Sequence, residues 1–238
     1  MNIRFIGTGT MGSTNRCNTS FIVDDILFDC GMGTIKQLER LGNKVKDLKN
    51  IVITHYHADH FFDIPNLIIG RKIRNELDYV LNIIGPVGIR QKVYDLMILS
   101  FGDLGSLEEY SNLNFIEVKP NETITLDNDY KLTAMELEHG KAKPNYGYLL
   151  DSGTNVIGYT GDSTLCDNFY KMCEQANYMI ADTCMETESN PAHIGLNDLL
   201  EVADKYAPRQ FFAVHRGDYE IPNTDKIEFP NDGDIIDI

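Results

Sequence analysis

The sequence has few cysteines, and no two of them form a C-x-x-C pair. Their number is odd, which argues against a disulfide framework and against a thiolate zinc finger. We therefore expect free thiols that mostly pack as small apolar side chains. The five cysteines are Cys17, Cys30, Cys166, Cys173 and Cys184.

Long apolar runs and an excess of basic residues are also missing. No stretch of about 18 apolar residues occurs, which argues against a transmembrane helix, and the first residues lack the pattern of a secretory signal, so a cytoplasmic location is expected. The chain has 21 basic against 36 acidic residues and a formal charge of −15. Its mean electrostatic field therefore repels nucleic-acid phosphates, although solubility is the simpler reason for the charge.

The sequence otherwise has the balance of an ordinary globular protein, with 42% apolar and 24% charged residues. Its 238 residues fit one domain over residues 1–238. Short apolar runs predict strands at residues 3–6, 20–23, 26–28, 49–54, 80–84, 115–118, 124–126, 132–137, 146–150, 156–159 and 211–214. Helical spacing predicts helices at residues 33–41, 89–100 and 196–206. These elements indicate an α/β (α+β) protein with stacked sheets flanked by helices.

A six-residue segment, His-Tyr-His-Ala-Asp-His at residues 55–60, follows the apolar run at residues 49–54. On a strand, residues two apart point to the same side, so His55 and His57 can bind one ion. Asp59 and His60 then fall where the chain turns. Imidazole and carboxylate ligands suit zinc and leave positions open for water and substrate. The segment predicts a catalytic metal site, and an ordinary polar loop is the weaker alternative.

The other three histidines, His139, His193 and His215, follow predicted strands or lie on polar loops. Taken singly, each is more often an ordinary polar side chain than a metal ligand. Asp162 follows a further predicted strand in the segment Tyr-Thr-Gly-Asp-Ser at residues 159–163. Because the strand ends of one sheet lie along one edge, these side chains can converge with the histidine segment.

Together these segments resemble the metallo-β-lactamase superfamily and, within it, the ribonuclease Z-like branch, over nearly the whole chain. The usual prolines of the first loop are missing here. The segments that carry the resemblance are Gly-Thr-Gly at residues 7–9 with Arg16 and residues 18–20, Phe-Asp-Cys-Gly at residues 28–31, residues 54–60, Gly-Pro-Val-Gly at residues 85–88, His139 with Tyr-Gly-Tyr at residues 146–148, and residues 159–163.

The resemblance implies a metallo-β-lactamase-type αββα sandwich of two β-sheets flanked by helices. It implies two divalent metal ions, expected to be Zn²⁺, with Mn²⁺ or Fe as alternatives. It assigns one ion to His55, His57 and His139, the second to Asp59, His60 and His215, and a bridging position to Asp162. Asp29 would orient a ligand, or it simply caps a turn. A homodimer is a further implication of the resemblance.

His193 is left over from this ligand set. In the branch, a histidine in this region acts on the leaving oxygen with an acidic residue upstream, and the segment Ala-Asp-Thr-Cys at residues 181–184 resembles that motif, with Asp182 where Glu is more usual. A plain loop histidine is the open alternative, because the residues around His193 depart from the usual context. The candidate catalytic residues are Asp59, His193 and Asp182. The expected reaction is attack of a metal-bound hydroxide on phosphorus, with His193 and Asp182 protonating the departing alkoxide.

The expected substrate is a small or cyclic phosphodiester. Transfer-RNA-processing members of the branch carry a projecting basic arm in the second half of the chain, and no such insertion is recognisable between His139 and Asp162. A ribonuclease Z-type endonuclease for transfer RNA 3′ processing is the alternative. A β-lactam or thioester hydrolase could use the same fold, and a metal-binding module without catalysis is the alternative of another class.

Overall fold

The computed structural model describes residues 1–102, 112–206 and 209–238. The chain divides into two compact units, which we call the first and the second unit. The first comprises Met1–Gly7, Cys17–Glu117 and Asp232–Ile238, and the second comprises Thr8–Arg16 and Val118–Asn231. The sequence-based interpretation of residues 1–238 as one domain stays a prediction.

The first unit is built on a seven-stranded mixed sheet. In chain order its strands are β1 (Asn2–Gly7), β2 (Ser20–Val23), β3 (Ile26–Phe28), β4 (Asn50–Val52), β5 (Leu81–Pro86), β6 (Leu113–Val118) and the last strand of the chain, β14 (Ile235–Asp237). The strand order in the sheet is β14-β1-β2-β3-β4-β5-β6. β1 to β3 form the predicted antiparallel meander, and β3, β4 and β5 run parallel.

Four α-helices accompany this sheet: α1 (Thr34–Arg40), α2 (Ala58–Phe61), α3 (Ile64–Ile73) and α4 (Ile89–Phe101), with a 3₁₀ turn at Val45–Asp47. Their apolar residues face inward at helical spacing, as in α4, where Ile89, Val93 and Met97 are buried. They pack with the strands into one apolar core. Gly88, at φ 95°, begins α4 in the left-handed region that favours glycine.

The second unit contains another seven-stranded mixed sheet. Its strands are β7 (Thr123–Thr125), β8 (Lys131–Glu136), β9 (Tyr146–Asp151), β10 (Val156–Tyr159), β11 (Tyr178–Asp182), β12 (Gln210–Val214) and β13 (Ile227–Glu228), in the order β13-β12-β11-β10-β9-β8-β7. β7 to β10 are antiparallel and β10 to β13 are parallel. The parallel neighbours β10, β11 and β12 therefore end at the same edge of the sheet.

Two helices connect these parallel strands, α5 (Asp167–Gln175) between β10 and β11 and α6 (Leu196–Lys205) between β11 and β12. Each buries one apolar face, including Phe169 and Met172 on α5 and Leu199 and Val202 on α6. Two mixed sheets with flanking helices confirm the predicted fold class. Within the described part of the chain, no helix has the length and apolar character needed to cross a bilayer.

One predicted strand is shorter than expected, and this corrects the placement of two histidines. The strand predicted at residues 49–54 is β4, Asn50–Val52, so His55 and His57 lie in the loop beyond it and not on a strand. The physical reason is a side chain: the Thr54 N–H donates to the Asp29 carboxylate at 2.9 Å and not to a neighbouring strand. The chain therefore leaves the sheet before the first histidine.

Candidate metal-binding residues

In the first unit, the four candidate ligands are brought together by a loop and the short helix that follows it. His57 is the residue that precedes α2, and Asp59 and His60 lie on that helix. His55, Asp59 and His60 are buried, whereas His57 is exposed. The His55 ring centroid lies 4.5 Å from that of His57 and 4.4 Å from that of His60. Six consecutive residues thus place three imidazoles side by side.

Asp29 fixes the orientation of His60. It is fully buried, and its φ of 56° is in the left-handed region that few non-glycine residues adopt. Its Oδ2 atom lies 2.7 Å from Nδ1 of His60. A carboxylate accepts hydrogen bonds only, so Nδ1–H of His60 is the donor and Nε2 is the atom with a lone pair for a metal.

The Thr54 hydroxyl links Asp29 to His55 and fixes the tautomer of that histidine as well. Its hydroxyl lies 3.1 and 3.0 Å from the two oxygens of Asp29 and 3.0 Å from Nδ1 of His55. The single hydroxyl proton goes to the carboxylate, so the hydroxyl oxygen accepts from Nδ1–H of His55. Asp29 therefore selects the same tautomer in His55 and His60. Its contacts are those of a residue that orients metal ligands.

The loop after β3 lies directly against α2, and a glycine permits this. A Cβ atom on Gly31 would come 1.6 Å from the carbonyl oxygen of Asp59. The adjacent backbone is hydrogen-bonded, with Cys30 N–H donating to the carbonyl of His60 at 2.8 Å and Met32 N–H to that of Ala58 at 3.2 Å. The backbone of the histidine segment is therefore held as firmly as its side chains.

In the second unit, three candidate ligands follow three different strands. His139 comes after β8, Asp162 after β10 and His215 directly after β12, and all three are buried. The φ of His215 is 55°, another left-handed backbone at a non-glycine residue. Nδ1–H of His139 donates to the carbonyl of Ala192 at 2.7 Å, which leaves Nε2 of His139 as the ligand atom.

The two carboxylate oxygens of Asp162 face different histidines. Oδ1 lies 3.3 Å from Nε2 of His215, and Oδ2 lies 3.6 Å from Nε2 of His139. Two ligand atoms on one tetrahedral zinc are about 3.3 Å apart, because each bond is roughly 2.0–2.2 Å long. Both separations suit a shared ion, and the nitrogen and oxygen donors suit a divalent metal. The residues present therefore fit a carboxylate that contacts one ion through each oxygen.

Asp182 and His193 form a hydrogen-bonded pair beside these ligands. Asp182 ends β11 and is fully buried, and its Oδ2 atom accepts from Nδ1–H of His193 at 2.8 Å and from the N–H of Ser163 at 3.0 Å. Its Oδ1 atom lies 3.4 Å from Nδ1 of His215. Burial alone would lower the pKa of His193, but the hydrogen bond and charge of Asp182 outweigh burial, so the pKa is raised.

His193 lies inside this cluster and not on an isolated loop. Its ring centroid is 4.8 Å from that of His139 and 5.4 Å from that of His215. Asp162, Asp182, His193 and His215 each offer a ligand atom, and these atoms lie within 4.8 Å of one another. All nine candidate residues are thus found in two clusters, one in each unit: His55, His57, Asp59 and His60 in the first, and His139, Asp162, Asp182, His193 and His215 in the second.

Two contributors escaped the sequence analysis. Asn145 is buried and donates through Nδ2 to the carbonyls of Asp162, at 2.9 Å, and Leu137, at 3.3 Å, so it ties the two loops together. Cys184 was given no role of its own, and its backbone N–H donates to Oδ1 of Asp182 at 2.9 Å. The only available signal was position, since both residues adjoin segments that were already singled out.

The sequence matches one family model and a group of curated relatives. The model of the family described as "Anti-Pycsar protein Apyc1" matches residues 1–231. A ribonuclease Z of Methanosarcina acetivorans is 33% identical over 159 residues, which cover 63% of this chain and 48% of that protein. The chain thus spans about half the length of the curated relatives it matches.

Solved structures share the fold at lower sequence identity. The metallo-β-lactamase fold protein YhfI from Bacillus subtilis superposes with a TM-score of 0.80 at 17% identity, over 98% of both chains. A diphosphatase from the PhnP family gives a TM-score of 0.75 at 19% identity, over 99% of this chain and 96% of that one. These findings confirm the resemblance to the metallo-β-lactamase superfamily and its ribonuclease Z-like branch. These relatives include a ribonuclease and a diphosphatase, in keeping with the predicted class of hydrolase.

Proposed function

The chain belongs to the family of the anti-Pycsar protein Apyc1, and we propose from this membership and from its two histidine clusters that it is a dinuclear metal-dependent phosphodiesterase. Its proposed substrate is a small or cyclic phosphodiester. The proposed ligand sets are His55, His57 and His139 for one ion, Asp59, His60 and His215 for the other, and Asp162 for both. Zn²⁺ is the proposed metal, because the donors are imidazole and carboxylate without thiolate.

The placement of Asp162 is the single observation that carries this proposal. Its oxygens lie 3.3 Å from Nε2 of His215 and 3.6 Å from Nε2 of His139, close to the separation of about 3.3 Å between two ligand atoms on one zinc ion. The fixed tautomers of His55, His60 and His139 support it, since Nδ1–H of each donates to an acceptor and the metal-binding lone pair is therefore on Nε2.

Two divalent ions, when bound, supply an acidified water and neutralise charge on the phosphoryl oxygens. The residues of the chain then supply proton transfer. Nδ1–H of His193 is held by Asp182 at 2.8 Å, so Nε2 is the nitrogen that can give a proton to the departing alkoxide. Asp182 is anchored by the N–H groups of Ser163 and Cys184, which keeps the His193 ring in one orientation.

Two observations support a small substrate over a polynucleotide. The formal charge of −15 opposes binding of a phosphate backbone. The segment between His139 and Asp162, where a basic arm would be expected, is filled by the β9–β10 hairpin. In the same segment, the Lys143 ammonium pairs with Glu136 at 3.3 Å, which offsets one of the few basic side chains there.

A substrate panel tests the proposal. The metal-loaded protein is incubated with a chromogenic phosphodiester, cyclic nucleotides, precursor transfer RNA and a β-lactam, with and without a chelator. We expect chelator-sensitive hydrolysis of the phosphodiester and of at least one cyclic nucleotide, with the β-lactam left intact. Hydrolysis of the β-lactam alone would place the chain in another functional class. Fewer than about one metal ion per chain after gentle purification would favour a binding module without catalysis.

A ribonuclease Z-type endonuclease is the second candidate, and the names of the curated relatives favour it. It requires RNA binding in spite of the negative charge of the chain. Filter binding of transfer RNA at increasing salt separates the two candidates, since contacts with many phosphates make the affinity fall steeply with salt. Tight and salt-sensitive binding would support the endonuclease.

A homodimer is likewise proposed from the resemblance alone, and light scattering on the purified protein tests it.

A further inference from the structure

The thiol of Cys184 lies among polar groups at the edge of the second-unit cluster. Cys184 follows β11, is half-buried, and belongs to the same turn as Asp182 and Thr183. Its Sγ atom is 3.8 Å from the hydroxyl oxygen of Thr10. The two fully buried cysteines, Cys30 and Cys173, lie in apolar cores, so the surroundings of Cys184 are of a different kind.

Two histidines face the same space as this thiol. Cys184, His193 and His215 each offer a ligand atom, and the three atoms lie within 4.8 Å of one another. Ligands around a tetrahedral zinc are about 3.5 Å apart when one of them is sulfur, so three atoms within 4.8 Å of one another need only small shifts to bind one ion. One thiolate with two imidazoles is a set that prefers borderline or soft divalent ions.

We propose that Cys184, His193 and His215 form a third, inhibitory site for a soft or borderline divalent cation, such as Zn²⁺ in excess or Cd²⁺. Nε2 of His215 is assigned to a resident ion, so this residue would join the third site through Nδ1. Binding would then release the thiol proton and the Nδ1 proton of His215 to solvent and form one sulfur–metal bond and two nitrogen–metal bonds, with no change of oxidation state. Three protein ligands leave one position open to water. The site shares His215 with a proposed ligand set and takes His193 away from proton transfer. The inhibitory consequence therefore rests on the proposed function, whereas the binding does not.

Ultraviolet difference spectroscopy tests the binding directly. Cd²⁺ is added to the protein that already carries its stoichiometric metal, and the sulfur-to-metal charge-transfer absorption is recorded. We expect the absorption in the unaltered protein and its loss in Cys184→Ser. Cys166→Ser is the matched control, because Cys166 is also half-buried and lies outside the cluster, and it should keep the absorption. His193→Ala should raise the Cd²⁺ concentration needed for the absorption by about tenfold or more.

Inhibition of hydrolysis tests the consequence. Cys184→Ser should raise the inhibitory Cd²⁺ concentration by about tenfold or more, and Cys166→Ser should leave it unchanged. Absorption that persists in Cys184→Ser would overturn the site. Absorption that is lost while inhibition stays the same would overturn the inhibitory role. A protein without phosphodiesterase activity would refute the proposed function, and the absorption would still decide whether the site exists.

Discussion

The two units of the chain hold their candidate ligands in different ways. In the first unit, four of them come from six consecutive residues at one loop and the start of α2. In the second unit, they come singly from the ends of β8, β10, β11 and β12 and from the loop before α6. A contiguous set needs only local backbone geometry, whereas a dispersed set exists only when the whole sheet is formed. The contiguous set can therefore be recognised in a sequence, whereas the dispersed set depends on the order of the strands in the sheet.

The strongest way to break the dispersed cluster is Asp162→Asn. The amide cannot offer two anionic oxygens, so we expect metal affinity to fall by more than the roughly 100-fold upper range for residues that only support ligands. Hydrolysis should fall to background. Metal content by mass spectrometry and the rate of phosphodiester hydrolysis measure the two effects. Asp127→Asn, an exposed residue of the same unit, is the matched control. Full metal content in Asp162→Asn would contradict the bridging assignment.

His193→Ala separates proton transfer from metal binding within the same cluster. Loss of a general acid typically lowers kcat by about 10²–10⁴-fold, and we expect a decrease in this range with metal content unchanged. Asp182→Asn should act in the same direction, since it removes the carboxylate that accepts from Nδ1–H of His193. Single-turnover kinetics with metal analysis measure both. If His193→Ala loses bound metal instead, His193 is a ligand and the assignment of roles is wrong.

Asp29→Asn tests the contiguous cluster through its support. The change removes the charge that orients His60 directly and His55 through Thr54, so metal affinity should fall by about 10–100-fold. Asparagine tolerates the left-handed backbone that Asp29 adopts at φ 56°. Asp24→Asn is a close control, because Asp24 is exposed and its φ is 53°. Metal affinity is measured by competition with a chelating dye. Equal affinity in the two variants would show that Asp29 only caps a turn and does not orient the ligands.

The smallest effect concerns the backbone contact that supports the contiguous cluster. In Gly31→Ala, the new Cβ would meet the carbonyl oxygen of Asp59, so the loop or α2 must shift. Overpacking of this kind lowers the free energy of unfolding by about 1–3 kcal/mol. Gly12→Ala, where no atom lies within 4 Å of an added Cβ, should leave it unchanged. Urea unfolding of the metal-free proteins measures the difference, and equal midpoints would argue against a tight contact.

Much of the fold was predictable because its elements carry regular apolar patterns. The meander β1–β3, the β9–β10 hairpin and the helices α1, α4 and α6 lie where the sequence predicts them. The elements that were missed are β11, β13, β14, α2, α3 and α5. The apolar run of β11 is too short to distinguish a strand from a buried helix. The four apolar residues Phe169, Tyr170, Met172 and Cys173 of α5 are crowded into five positions and hide its period.

The site was predictable to the extent that its motifs follow strand ends. The strand assigned to residues 49–54 was too long, because Asp29 takes the N–H of Thr54, and a single sequence contains no sign of that contact. The role of Asp29 itself could be stated only through the resemblance. His193 could be interpreted in two ways, and its hydrogen bond to Asp182 depends on two segments that only the sheet brings together.

The most direct test of the proposed function is the ratio of kcat/KM for a cyclic nucleotide to kcat/KM for precursor transfer RNA, measured on one metal-loaded preparation. If the protein is a phosphodiesterase for small substrates, we expect a ratio well above one, and we expect both the chelator and His193→Ala to abolish most of the cyclic nucleotide turnover. Cleavage of precursor transfer RNA by a preparation that leaves every cyclic nucleotide intact would contradict the proposed phosphodiesterase function and would establish the ribonuclease Z-type alternative.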